Sequence, residues 1–268
     1  MNAALPIRPA RSEPWFFTFG PPPETAQVTL VCLPCAGGSA AMYRGWAQSL
    51  PDGVALMTVR LPGRESRLDE PAHTAMDRFV TDFVPILRRV ARHRYALFGH
   101  SMGALMIYAL LRHRPADVPL PDAVFLSAHR PPHLDLGRPP IHGLPKAGFL
   151  DAVRAMGGLP DEVWTHSELL NLLEPTMRAD FALCETYPRG LEAHQDTPIA
   201  PPAYVFGGNH DESATPDALK QWADLCGDFR GLHLHEGGHF YLRAHETALL
   251  AQVFGALTAA APIRRSPL

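Results

Sequence analysis

The stretch that decides the reading is YALFGHSMGALMIYALL, Tyr95 to Leu111. Its first four residues are an apolar run of strand length. Gly99-His100-Ser101-Met102-Gly103 follows, and Leu105, Met106, Tyr108, Ala109 and Leu110 then recur at helical spacing without a gap. A short apolar run gives way to helical spacing across a five-residue turn, so the segment reads as strand, tight turn, helix. G-x-S-x-G in that setting is a nucleophile elbow: the serine sits on a strained turn, and the glycines let strand and helix approach closely. The plainer reading is a glycine turn with a capping serine; the periods on both sides favour a reactive Ser101.

Outward from this stretch, the chain alternates buried strands with helices. Gln27 to Leu33, Val54 to Leu61, Ala123 to Ala128 and Tyr204 to Gly208 are nearly continuous apolar runs, suited to strands covered on both faces. Trp15 to Phe19 reads as an aromatic edge strand, and Leu232-His233-Leu234 as the last strand. Helices are expected over Met42 to Leu50, from a Thr74 cap through Val90 with a kink at Pro85, over Pro216 to Cys226, and from Leu249 to Leu257. About 75 residues lie between Ala128 and Tyr204, where a crossover needs only a dozen or more, so the interval holds an insertion. It opens Pro-rich (Arg130 to Pro145) and continues with helical patterns at Phe149 to Met156, Leu169 to Leu173 and Met177 to Tyr187. Such helices would form a lid over the strand ends, or else only thicken the core. The expected organisation is a loose arm over 1–13, one domain over 14–262 with the insertion at about 130–190, and a flexible basic tail over 263–268.

Composition narrows the function. The chain has 268 residues, 46% hydrophobic and 19% charged, with a net charge of -3, as in an ordinary soluble globule. No basic stripe suggests nucleic acid. No signal peptide and no run long enough to span a membrane is visible, so a cytoplasmic protein is expected. Four cysteines are too few and scattered for a disulfide framework; Cys32 and Cys35 form a lone C-x-x-C that reads as core or loop packing. His233 and His235 have strand spacing but no third ligand, so no metal is expected.

Three polar residues each follow a predicted strand: Ser101, Asp211 and His239. Loops at the ends of parallel strands converge on one crevice, so these can meet. The roles divide by chemistry. A serine hydroxyl is a weak nucleophile until an imidazole takes its proton, and a carboxylate fixes the tautomer of that imidazole. The order Ser, Asp, His is that of an α/β-hydrolase. The turn Cys35-Ala36-Gly37-Gly38 leaves backbone N–H groups free; those of Ala36 and Met102 would form an oxyanion hole. A phosphate loop is the rival reading, but neither G-x-G-x-x-G nor G-x-x-x-x-G-K is present. Among fourteen histidines, His100 reads as structural, and His210 and His235 as decoys, with Glu212 a decoy for the acid. Arg64 and Arg67 beside Gly63 suggest either an anion site or a solvated loop held by an Arg–Glu pair.

Taken together, the motifs resemble those of the type II, or external editing, thioesterases of polyketide and nonribosomal peptide synthesis. The match runs through Leu33 to Ala40, Arg60 to Glu65, Gly99 to Ala104, Gly157 to Pro160, Pro175 to Phe181, Gly208 to Asp211 with Trp222, and Gly237 to Phe240. Cys35 departs from it, standing where many relatives carry His, and so does Asn209-His210 before the acid. The resemblance implies an α/β-hydrolase fold with a helical lid. It implies hydrolysis of acyl groups from the phosphopantetheine thioester of acyl or peptidyl carrier proteins, without a cofactor and as a monomer. A medium-chain fatty acyl thioesterase, a small-molecule carboxylesterase, and a catalytically silent binding module of the same fold are the alternatives.

Overall fold

The computed structural model of the chain describes residues 14–159, 161–190 and 198–259. The expected arm over 1–13 and the tail over 263–268 lie outside them. Seven strands, β1 (Phe16–Phe19), β2 (Val28–Leu33), β3 (Val54–Val59), β4 (Tyr95–His100), β5 (Val124–Ser127), β6 (Ile199–Gly208) and β7 (Cys226–His235), form one sheet in the order β1-β3-β2-β4-β5-β6-β7. Among the described residues, only the edge pair β1–β3 is antiparallel; the other five pairings are parallel. The apolar runs have a direct cause: every residue of β2, β3, β4 and β5 is buried, as strands covered on both faces must be.

Alternate residues of these strands feed two core layers. Val31, Leu33, Leu97 and Leu126 pack on one face with α1 (Met76–Val90) and α2 (Met102–Arg112). Leu30, Cys32, Phe98 and Phe125 pack on the other, against a segment at Ala40–Ser49 and α7 (Glu246–Ala259). The helices between β5 and β6 are α3 (Lys146–Ala155), α4 (Asp161–Trp164) and α5 (Ser167–Glu185); α6 (Pro216–Lys220) precedes β7. The insertion has a small core of its own: Ile141, Phe149, Val153 and Met177 form a cluster separate from the two that sandwich the sheet.

Several local expectations are corrected. The Ala40–Ser49 segment winds as a 3₁₀ helix, not an α-helix. Residue Ala75, not Thr74, caps α1, with no side-chain cap bond. Two insertion helices merge into α5, which runs through Pro175 because Met177, Ala179, Asp180 and Leu183 beyond it are buried. The expected helix to Cys226 is α6 followed by a 3₁₀ turn, Gln221–Leu225. Strand β7 then runs ten residues along β6 although it is half exposed and carries Asp228 and Arg230; pairing outweighs its weak apolar pattern.

Strand order also locates the crevice. From β2 the chain leads to β3 on one side, whereas from neighbouring β4 it leads to β5 on the other. Loops that part in opposite directions leave a gap beyond the C-terminal ends of those two strands, the usual place for a ligand in a parallel sheet.

Candidate active site

Ser101 stands at that gap, between β4 and α2, with φ 54° and ψ −117°. A positive φ in a residue with a Cβ costs on the order of 1–3 kcal/mol. The surrounding structure holds it there: the Ser101 N–H donates to the Ser127 carbonyl at the end of β5 (2.7 Å), and Ala104 N–H donates back to the Ser101 carbonyl (2.9 Å).

His239 comes from the turn after β7, and its Nε2 lies 2.9 Å from Ser101 Oγ. Its Nδ1 lies 2.7 Å from Oδ2 of Asp211, which follows β6. The second oxygen of Asp211 accepts from the Ser213 N–H (2.9 Å), the Ser213 hydroxyl (2.7 Å) and the Ala214 N–H (3.1 Å). Burial alone would raise this carboxyl, but the hydrogen bonds and charge of His239, together with Ser213 and Ala214, outweigh it and hold Asp211 at about 2. An ionised carboxylate only accepts, so Nδ1 carries the proton and the Nε2 lone pair faces Ser101. In that state the imidazole is placed to take the hydroxyl proton.

Ser213 is a residue the sequence reading missed: its Oγ also lies 3.0 Å from His239 Nδ1, so it bridges acid and imidazole. An Asp followed two residues later by Ser is the signal that could have found it. His100 is fully buried behind His239, ring centroids 5.2 Å apart. Its Nδ1 meets Ser127 Oγ (2.9 Å), which in turn meets the Tyr241 hydroxyl (2.7 Å). Burial, reinforced by His239, pushes His100 far below the ordinary histidine range, so it stays neutral. His210 faces Glu236 at 3.3 Å near the surface, Glu212 is exposed, and His235 stacks on Tyr241. None of the three joins the Ser101 line.

Met102 is the first residue of α2, so its N–H has no intrahelical acceptor. Ala36 and Met102 both line the cavity that holds Ser101. Neither arginine of the Gly63 loop is solvated: Arg67 pairs with Glu70, and Arg64 with Asp180 of α5. Cys32 and Cys35 are free and buried; burial, with help from Asp180, pushes the Cys35 thiol up to about 11, and its sulfur packs 3.8 Å from that of Met42. Among the described residues no cluster of side chains could hold a metal, and no helix is long and apolar enough to cross a membrane.

The cavity measures about 1170 Å³. Ser101 and His239 sit in its wall, while Met156, Leu159, Met177 and Phe181 line it from the insertion and Met42 and Trp46 from the 3₁₀ segment. A polar reacting centre thus opens into a largely apolar chamber.

Residues 28–257 match the family model of the Thioesterase domain. The chain belongs to the thioesterase family. Linear gramicidin dehydrogenase LgrE of Brevibacillus parabrevis is 33% identical to it over 84% of this chain and 86% of that protein. Among solved structures, the type II thioesterase BorB from the borrelidin biosynthetic cluster superposes with a TM-score of 0.82 at 29% identity, covering 92% of this chain and 99% of the other. RedJ, the thioesterase of the prodiginine biosynthetic pathway in Streptomyces coelicolor, gives 0.79 at 34% identity, covering 94% and 96%. The thioesterase therefore has the α/β-hydrolase fold expected from its sequence, and it is a thioester hydrolase.

Proposed function

We propose that this thioesterase clears acyl groups from the phosphopantetheine arm of acyl or peptidyl carrier proteins, in the manner of an editing enzyme beside a polyketide or nonribosomal peptide synthase. The observation that carries the chemistry is the unbroken hydrogen-bonded line Ser101–His239–Asp211 in the cavity wall. Ser101 Oγ attacks the thioester carbonyl as His239 Nε2 takes its proton, and the resulting oxyanion lies against the N–H groups of Ala36 and Met102. The carbon–sulfur bond then breaks and the thiol leaves with the proton from His239. Water, deprotonated by the same imidazole, cleaves the acyl-serine and restores the hydroxyl. No step calls for a cofactor.

The insertion roofs this chemistry as a lid. Its chamber is largely apolar and roomy enough for an acyl chain, with Arg138 and Arg189 among the charged side chains in its wall. Hydride transfer, suggested by the name of one relative, finds no support in the residues: no strand here leads into G-x-G-x-x-G.

A panel of carrier-bound acyl groups, their coenzyme A thioesters and simple oxyesters tests the assignment. Carrier-bound thioesters are expected to turn over fastest, and a serine-directed fluorophosphonate to label wild type but not Ser101→Ala. Wild-type protein that resists labelling would refute the mechanism; equal rates on oxyesters and carrier thioesters would move the function to a small-molecule esterase.

A further inference from the structure

The turn that carries Ala36 is not held by its own backbone alone. Gly38 N–H donates to the Cys35 carbonyl (2.9 Å). That carbonyl and the Ala36 N–H belong to one planar trans peptide, so fixing the first aims the second the opposite way. The two residues that close the turn are in turn held by a buried ion pair. Asp180 Oδ2 accepts the Gly37 N–H at 2.8 Å. Arg64 binds Asp180 with both terminal nitrogens, at 2.8 and 2.6 Å, and its Nη1 also donates to the Gly38 carbonyl at 2.9 Å. The two side chains are 9% and 2% exposed.

Asp180 lies on α5, the helix that roofs the cavity. Two further residues on the same stretch of α5 hold the neighbouring loops. Thr176 donates to the Gly63 carbonyl (2.8 Å), one residue before Arg64. Met177 packs over Gly37, whose φ is +68° and where a Cβ would fall 3.0 Å from the Met177 Cγ. Residues 176, 177 and 180 share one helix face, so that face grips the Ala36 turn and the Gly63 loop together.

Fold stability alone is a weak reason for such a pair, because buried ion pairs can often be exchanged for apolar residues of similar volume at no cost. We infer that Asp180 is a positioning residue for the oxyanion donor: through Gly37 it makes the aim of the Ala36 N–H depend on the seating of α5. The inference rests on the reaction proposed above. Its consequence is that the roof and the donor form one unit. A chain with α5 displaced would keep Ser101, His239 and Asp211 in line, yet meet the tetrahedral intermediate with one donor misdirected.

The test uses Asp180→Asn, which keeps the shape but loses the charge and one acceptor, and the double variant Arg64→Met/Asp180→Leu, which fills the site with apolar volume. Three quantities are read in protein shown to be folded by circular dichroism and thermal melting: kcat and KM on an acyl thioester, inhibition by a trifluoromethyl ketone analogue, and inhibition by the product carboxylic acid. The ketone must form an oxyanion on Ser101, whereas the acid needs only the chamber. For the double variant we expect kcat and ketone affinity to fall together by at least about tenfold, short of the roughly 10²–10³ for complete loss of a donor. KM and acid affinity should stay within about threefold. A folded double variant with wild-type kcat and ketone affinity overturns the inference; should that variant not fold, the same comparison on Asp180→Asn decides. Fluorophosphonate labelling of the wild type separates the two levels: failure there removes the reaction itself, while a labelled wild type beside unimpaired variants removes only the role of Asp180.

Discussion

Gly99 and Gly103 stand back to back in the elbow: a Cβ on Gly99 would fall 2.3 Å from the carbonyl carbon of Gly103. On its other side Gly103 meets β2, where a Cβ would fall 2.3 Å from the Leu33 carbonyl oxygen. Backbone cannot yield as a flexible side chain does, so β2, β4 and α2 are packed here at their closest approach. Gly103→Ala is expected to destabilise the protein by about 1–3 kcal/mol, as overpacking generally does, lowering Tm by several degrees and slowing fluorophosphonate labelling of Ser101. A Gly103→Ala protein with wild-type Tm and labelling rate would contradict this account of the elbow.

Asp211→Asn and His239→Ala should each lower kcat at least about a hundredfold while leaving the circular dichroism spectrum unchanged. The first change offers the imidazole an amide in place of a carboxylate and favours the wrong tautomer; the second leaves the hydroxyl without a base. Steady-state kinetics on one thioester suffices, and a fully active Asp211→Asn would remove that residue from the proposed mechanism.

Ser213→Ala probes the bridge more gently. Asp211 is held at about 2 against its ordinary 3.8, so its ionised form stabilises the native state above about pH 4, and this contribution is lost as pH falls toward 2. Removing one donor raises the folded value and shrinks the contribution. Urea denaturation should show a loss of about 1 kcal/mol at pH 7 that narrows below about pH 4, accompanied by a fall of a few fold in kcat. A pH-independent stability difference would point to packing instead.

Cys184, on α5, lines the chamber. Cys184→Phe places a ring where an acyl tail would lie. Long acyl groups should lose about tenfold or more in kcat/KM, the scale of a few methylenes displaced from an apolar pocket, whereas acetyl should be little affected. Measured across a carrier-bound acyl series, a uniform loss would mean that the chamber does not receive the chain.

What the sequence made legible follows from what each feature needs locally. Strands covered on both faces write themselves as apolar runs, and the elbow needs two glycines at fixed offsets, so β2 to β5 and Ser101 were readable. Ser101, His239 and Asp211 were placed after strands, and the topology brings them together. Leu232-His233-Leu234 covers only part of β7, because all but one of its residues are half-buried or exposed and the pairing with β6 makes it a strand. Leu169 to Leu173 and Met177 to Tyr187 read as two helical patterns, although burial beyond Pro175 joins them in one helix. The Arg64–Asp180 pair spans 116 positions, and no local pattern announces a partner at that distance. Sequence alone therefore offers Arg64 only an anion or a nearby Glu as partner, not Asp180.

The imidazole arrives from behind the last strand of the sheet, so the proposed base is among the last parts of the domain to be made. Ser101 belongs to the elbow between β4 and α2, whereas its proposed base is contributed 138 positions later. The hydroxyl has its imidazole neighbour only where β7 lies along β6 and the turn at 236–240 brings His239 Nε2 to it. Competence and completion of the sheet arrive together.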